Sequence, residues 1–167
     1  MPRSERRTAK ARRALSHVGR GGRARMVDVS GKPTTVREAV ARSRVVISPA
    51  AMRLVRAGRL AKGAVVEVAR LAGIMAAKRT ADTIPLCHPL PLSHVEVELA
   101  PRRDGFAIEA RVRTEAKTGA EMEALHAVAV AALTVYDMVK AADKAMRIEA
   151  IRVVRKTGGR SGEYRRR

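Results

Sequence analysis

SHVEVELAPRRDGFAIEARVRTEA, residues 93–116, alternates apolar and polar residues on both sides of an Arg-Asp-Gly turn. Alternation places successive side chains on opposite faces of an extended chain, so each half reads as a half-buried strand. The pair, joined through Asp104-Gly105, predicts an antiparallel hairpin. Downstream, GAEMEALHAVAVAALTVYDMVKAA (119–142) reads as the longest apolar helix, and MRIEAIRVVRK (146–156) as a last strand closed by TGGRSG. Upstream, VREAVARSRVVIS (36–48) fits a strand, because β-branched residues crowd its second half. SPAAMRLVRAG (48–58) has a helix start at Ser48-Pro49 and a stop at Gly58. Gly63 to about Lys78 is a second, Ala-rich helix. Val27-Asp28-Val29 followed by Ser-Gly-Lys-Pro is a short extended piece and a turn. The order strand, helix, helix, hairpin, helix, strand predicts an α+β sandwich, a mainly antiparallel sheet with helices on one face.

The chain of 167 residues is long enough for one domain with a core. Only 2% of residues are aromatic, so that core must be built from Ala, Val, Leu, Ile and Met. No unbroken apolar run reaches the roughly eighteen residues of a membrane span, and no partner membrane is expected. The N-terminus is basic without an apolar stretch, so no secretory signal is visible. One cysteine permits no internal disulfide and suits a reducing cytoplasm.

The formal net charge of +19 invites a nucleic-acid reading, but its distribution weakens that reading. Residues 1–25 carry nine Lys/Arg against one acid, and residues 151–167 seven against one, whereas the stretch between carries nineteen against fourteen. Charge blocks such as RRTAKARRA and YRRR are typically solvated tails. Tyr136, Tyr164 and Phe106 are too scattered for a platform that stacks bases. We expect a basic arm at 1–25, a domain at 26–163 and a basic tail at 164–167. A basic nucleic-acid or polyanion-binding module is the alternative to an enzyme.

Several residues could carry chemistry. On the apolar helix, Asp137 and Lys140 stand three apart and share a face. A helix apolar nearly all round is expected to be buried, so the two are either a structural ion pair or an acid/base pair with pKa values tuned by desolvation. The helix alone does not choose. Glu121 and Glu123 lie in its first turns, where acids complement the dipole. Lys62, Lys78 and Lys156 are single cations at element ends, and Lys156-Thr-Gly-Gly lacks the P-loop pattern. TADTIPLCHPL (80–90) frames Cys87-His88 with prolines. The chain has no zinc-ligand spacing, so no metal is expected. Neighbours on an extended chain point opposite ways, so Cys87 is not expected to be activated by His88. A rigid backbone there suits a wall for a planar ring.

MVDVSGK, GIMAAKRT, IPLCHPL, KTGAEMEAL, ALTVYDMVKA and KTGGRSG occur in that order. Together they resemble the cyclic pyranopterin monophosphate synthase family of molybdenum cofactor biosynthesis, over about residues 26–163. The resemblance implies a ferredoxin-like fold and a lyase that converts 3′,8-cyclo-7,8-dihydro-GTP to cyclic pyranopterin monophosphate with release of diphosphate. It implies no redox step, no cofactor and no metal needed for the chemistry. It also implies a homohexamer of dimers with each site at a dimer interface. Matching the motifs residue by residue implies catalytic Asp137 and Lys140, with Lys62. Substrate contacts are implied at Leu86, Cys87, His88, Met122 and Glu123, and at Glu121, Lys78, Lys156 and Arg37. A triphosphate would draw the cations together, and a desolvated lysine with a lowered pKa, held by Asp137, would move protons near neutrality.

Overall fold

The computed structural model describes residues 22–60 and 62–166. Most of the expected basic arm lies outside the described residues. The chain runs β1 (Thr35–Val46), α1 (Pro49–Arg56), α2 (Val65–Lys78), α3 (Thr80–Thr83), β2 (Leu92–Arg102), β3 (Gly105–Ala116), α4 (Glu121–Val139), β4 (Arg147–Thr157) and β5 (Tyr164–Arg165). The strands form one antiparallel sheet in the order β2-β3-β1-β4-β5. Helices α2 and α4 pack on one face, giving the α+β, ferredoxin-like architecture expected.

Local chemistry explains the elements. Ser48 caps α1, its hydroxyl accepting from the Ala51 N–H, and Pro49 occupies the first turn. The expected antiparallel hairpin forms, with Val97 facing Ala110 and Leu99 facing Ile108. Alternate residues of β3 (Phe106, Ile108, Ala110, Val112) are buried under the helices. On the opposite face a charged ladder takes the place of a second layer. Glu38 accepts from Arg113 at 2.9 Å and Arg111 at 3.3 Å, and Arg42 donates to Glu109 at 2.6 Å. The short α3 was not expected, nor was β5, which pairs Tyr164 with Lys156 where a solvated tail was expected.

The core is Ala- and Val-rich, which lets helices approach closely. Gly73 of α2 lies so near α4 that a Cβ there would stand 2.9 Å from the Ala127 carbonyl oxygen and 3.3 Å from the Ala131 Cβ. The two helices are antiparallel. The Lys62 loop before α2 meets the end of α4 at Asp137, and Thr80 just after α2 meets His126 near its start. By length and composition α4 could cross a membrane, yet half of it is buried inside the protein. The expectation that it is buried all round is corrected. Leu133 is 58% exposed, and Val68 and Leu71 of α2 are 45% and 62% exposed. The reason is that the sheet, α2 and the short α3 cover α4 on its inner sides, and its outer stripe has no neighbour among the described residues.

Replacing Gly73 by Val should destabilise the protein by about 2–3 kcal/mol, because the added atoms meet backbone rather than a yielding side chain. A urea melt checks this, and an unchanged midpoint would show that the helices have room to part.

Candidate active site

Two clusters of predicted residues form at opposite ends of α4. At its start, Leu86, Cys87, His88, Met122 and Glu123 line one cavity of about 280 Å³, closed on its far side by Val27, Val29 and Lys32. The proline segment holds its half of the wall from both sides. The Cys87 N–H donates to the Ile84 carbonyl at 3.0 Å, and the buried Thr114 hydroxyl donates to the Pro91 carbonyl at 2.7 Å. Glu123 is 4% exposed and its side chain has no hydrogen-bond partner from another residue among those described. Burial, and then the charge of Glu121, push its carboxyl above the ordinary carboxylate range. Burial, and then the charge of Glu123, likewise raise the Cys87 thiol. Both effects favour a thiol over a thiolate.

A second hollow of about 640 Å³ continues this cavity through the shared residues Lys32, Thr118 and Gly119, and adds Arg37, Lys117 and Arg160. Its lining is strongly basic. Arg37 also braces the wall: its Nε donates to the Ala116 carbonyl at 3.0 Å and its Nη2 to the Lys117 carbonyl at 3.1 Å. Gly158 and Gly159 leave it space. At Gly159, φ is +73° and a Cβ would come within 2.3 Å of the Arg37 Nη1. Lys156 donates to Glu121 at 2.8 Å, so this cation already has a counter-charge and the two predicted residues meet. Lys78 is exposed and lines a different depression, with Leu90, Leu92 and His94. It touches the first cavity only through their common neighbour Leu90.

At the other end of α4, Asp137 gathers two cations. Its Oδ1 lies 2.7 Å from the Lys140 Nζ, and its Oδ2 accepts from the Lys62 Nζ at 2.5 Å. Lys62 also donates to the Asp137 carbonyl at 3.1 Å. These groups lower the Asp137 carboxyl to about 2, Lys140 contributing first and Lys62 second. The expectation of a desolvated Lys140 with a lowered pKa is corrected. The Lys140 and Asp137 side chains are each 54% exposed, and the bond to Asp137 raises the lysine. The reason is position: the pair sits on the last turn of α4, in water, where a nearby carboxylate outweighs burial.

Sequence reasoning missed Lys32, Lys117 and Arg160. Each stands in a turn beside Gly, Thr or Ser, a pattern shared with ordinary solvated cations. The one signal they carried was membership of the quoted motifs, Lys32 in MVDVSGK, Lys117 in KTGAEMEAL and Arg160 in KTGGRSG.

Residues 26–159 match the MoaC family. A cyclic pyranopterin monophosphate synthase of Thermomicrobium roseum is 60% identical over 154 residues, covering 91% of this chain and 93% of that protein. Proteins of the same name from Chloroflexus aggregans and a Nostoc species are 58% and 57% identical, covering 91% and 90% of this chain.

The raised carboxyl of Glu123 predicts a pH signature. A folded pKa above the unfolded value means that the native state holds its proton longer, so stability falls as pH rises through the unfolded value of about 4.5. Glu123→Gln should therefore melt higher than the parent at pH 7, and the gap should close below pH 4. Parallel melting curves at both pH values would contradict the burial of this carboxyl.

Proposed function

The chain belongs to the MoaC family, and we propose that it converts 3′,8-cyclo-7,8-dihydro-GTP to cyclic pyranopterin monophosphate and diphosphate, in molybdenum cofactor biosynthesis. The catalytic unit is residues 26–163, working in the cytoplasm. The separation of the two clusters carries the mechanism. From Glu123 to Asp137 the helix axis runs about 21 Å at 1.5 Å per residue, too far for both to meet around one ring system. Groups that act on one reacting centre must come within about 3–3.5 Å of it. The complete site therefore joins the cavity of one subunit to the Asp137 end of another. The outer apolar stripe of α2 and α4, with Val68, Leu71 and Leu133, offers surface for such contacts. The assembly is a homohexamer, a trimer of dimers with a site at each dimer interface.

In that site Leu86-Cys87-His88 and Met122 hold the purine-derived ring, and Glu123 faces its guanidine-like edge. Lys32, Arg37 and Lys156 neutralise phosphate oxygens, with Lys156 exchanging Glu121 for substrate, and Lys78 joins from the adjoining rim. A ribose hydroxyl oxygen attacks the inner phosphorus. A new P–O bond forms, the bond to the outer two phosphates breaks, and the hydroxyl proton passes to a base. Lys62, Asp137 and Lys140 serve the proton transfers. In a lone subunit Asp137 is a weak base and Lys140 stays protonated. Cover from a second subunit would strip water from the pair and bring the lysine toward neutrality.

Incubation with the cyclised GTP should yield both products, identified by mass. Asp137→Asn should lower activity by about 10³-fold or more, the scale of lost general acid–base catalysis, and His88→Ala by about 10²-fold, the scale of a misplaced ring. Mixing the two variants after dissociation should restore activity at about a quarter of the sites, the share that draws an intact half from each parent. Mixed assemblies with no recovery would place both halves of the site in one subunit.

A further inference from the structure

The Val27–Lys32 segment forms the outer bank of the trough, supplying Val27, Val29 and Lys32 to one cavity and Lys32 to both. Its turn is closed internally. The Ser30 N–H donates to the Asp28 Oδ1 at 2.8 Å, and the Lys32 N–H to the Val29 carbonyl at 3.0 Å. These bonds shape the turn but do not attach it. Among the described residues, one hydrogen bond ties Asp28–Lys32 to the rest of the domain: the Lys117 Nζ donates to the Ser30 carbonyl at 2.6 Å, across 87 residues of chain. The anchor itself is rigid, since the Lys117 carbonyl is held by Arg37 at the junction of β3 and α4.

We propose that Lys117 is a positioning residue that clasps the Asp28–Lys32 turn against the trough and so sets where the Lys32 ammonium stands. This rests on the synthase reading of the trough. The bond is charge-assisted, which makes it stronger than a neutral one. Without it the turn keeps its internal bonds and loses its place. Lys32 then spends less time at the substrate anion, while the groups at Asp137 are untouched. Binding suffers and the chemical step does not, because a contact made alike in ground and transition states changes KM alone.

Lys117→Met keeps the length of the stem and removes the donor, and Lys117→Arg keeps a cationic donor. In Lys117→Met, KM for the cyclised GTP should rise about tenfold, with kcat within about threefold, on the scale of one lost charge-assisted hydrogen bond. Hydrogen exchange at the Ser30 and Lys32 amides should quicken by about the same factor, and exchange in β1 and β3 should be unchanged, showing an intact fold. Lys117→Arg should recover both readings. A raised KM with unchanged exchange in the turn would overturn the proposal, since Lys117 would then touch substrate directly. Faster exchange with wild-type KM would overturn it too, since the turn would then have no bearing on binding. If the parent makes no product from this substrate, the synthase reading fails, and the exchange measurement still decides the clasp.

Discussion

The close contact between α2 and α4 governs where the two clusters at the ends of α4 stand. An aromatic-poor sequence fills its core with Ala and Val, and at Gly73 it gives up even a methyl group. The helices then meet backbone to backbone and run antiparallel. Each end of α2 is thereby matched to an end of α4. The loop that carries Lys62 arrives at Asp137, and the proline segment that carries Leu86, Cys87 and His88 arrives at Met122 and Glu123. A bulkier core would separate the helices and misplace both clusters together, because interiors packed at crystal density transmit such shifts.

The charges at the two ends are handled differently. At the start of α4 a carboxylate is buried among apolar groups, and its environment favours the neutral acid. At the end a carboxylate stands in water between two ammonium groups, and its environment favours the anion. One helix thus presents two acids driven in opposite directions by desolvation and by ion pairing. The basic hollow next to the buried acid is not a set of free cations. Arg37 is committed in part to backbone carbonyls and Lys117 to the Ser30 carbonyl, while Lys156, outside the lining, is held by Glu121. A polyanion entering there would compete with existing partners, so its binding reflects a difference between two sets of charge-assisted bonds.

Much of the fold was legible because the pattern is local. Strict alternation marked β2 and β3, and Ser48-Pro49 marked the start of α1, each readable within a few residues. The exposure of the outer stripe of α4 was not legible, since an apolar helix looks the same whether one or two of its sides are covered. The site was legible only in part. The meeting of Leu86-Cys87-His88 with Met122-Glu123 spans some 35 residues of intervening chain and followed from family likeness, not from periodicity. Glu121 looked like a complement to the helix dipole until its ion pair with Lys156 gave it a second purpose. The high-lying Lys140 was misjudged because desolvation depends on neighbours that the order of residues does not name.

The single cysteine thiol lies in the wall of the cavity, beside the buried acid. Peroxides and alkylating agents attack the thiolate form, and the surroundings of Cys87 keep that form scarce at neutral pH. The thiol can therefore line the cavity without becoming a ready target for oxidants. The burial that shapes this part of the wall thus also guards its thiol.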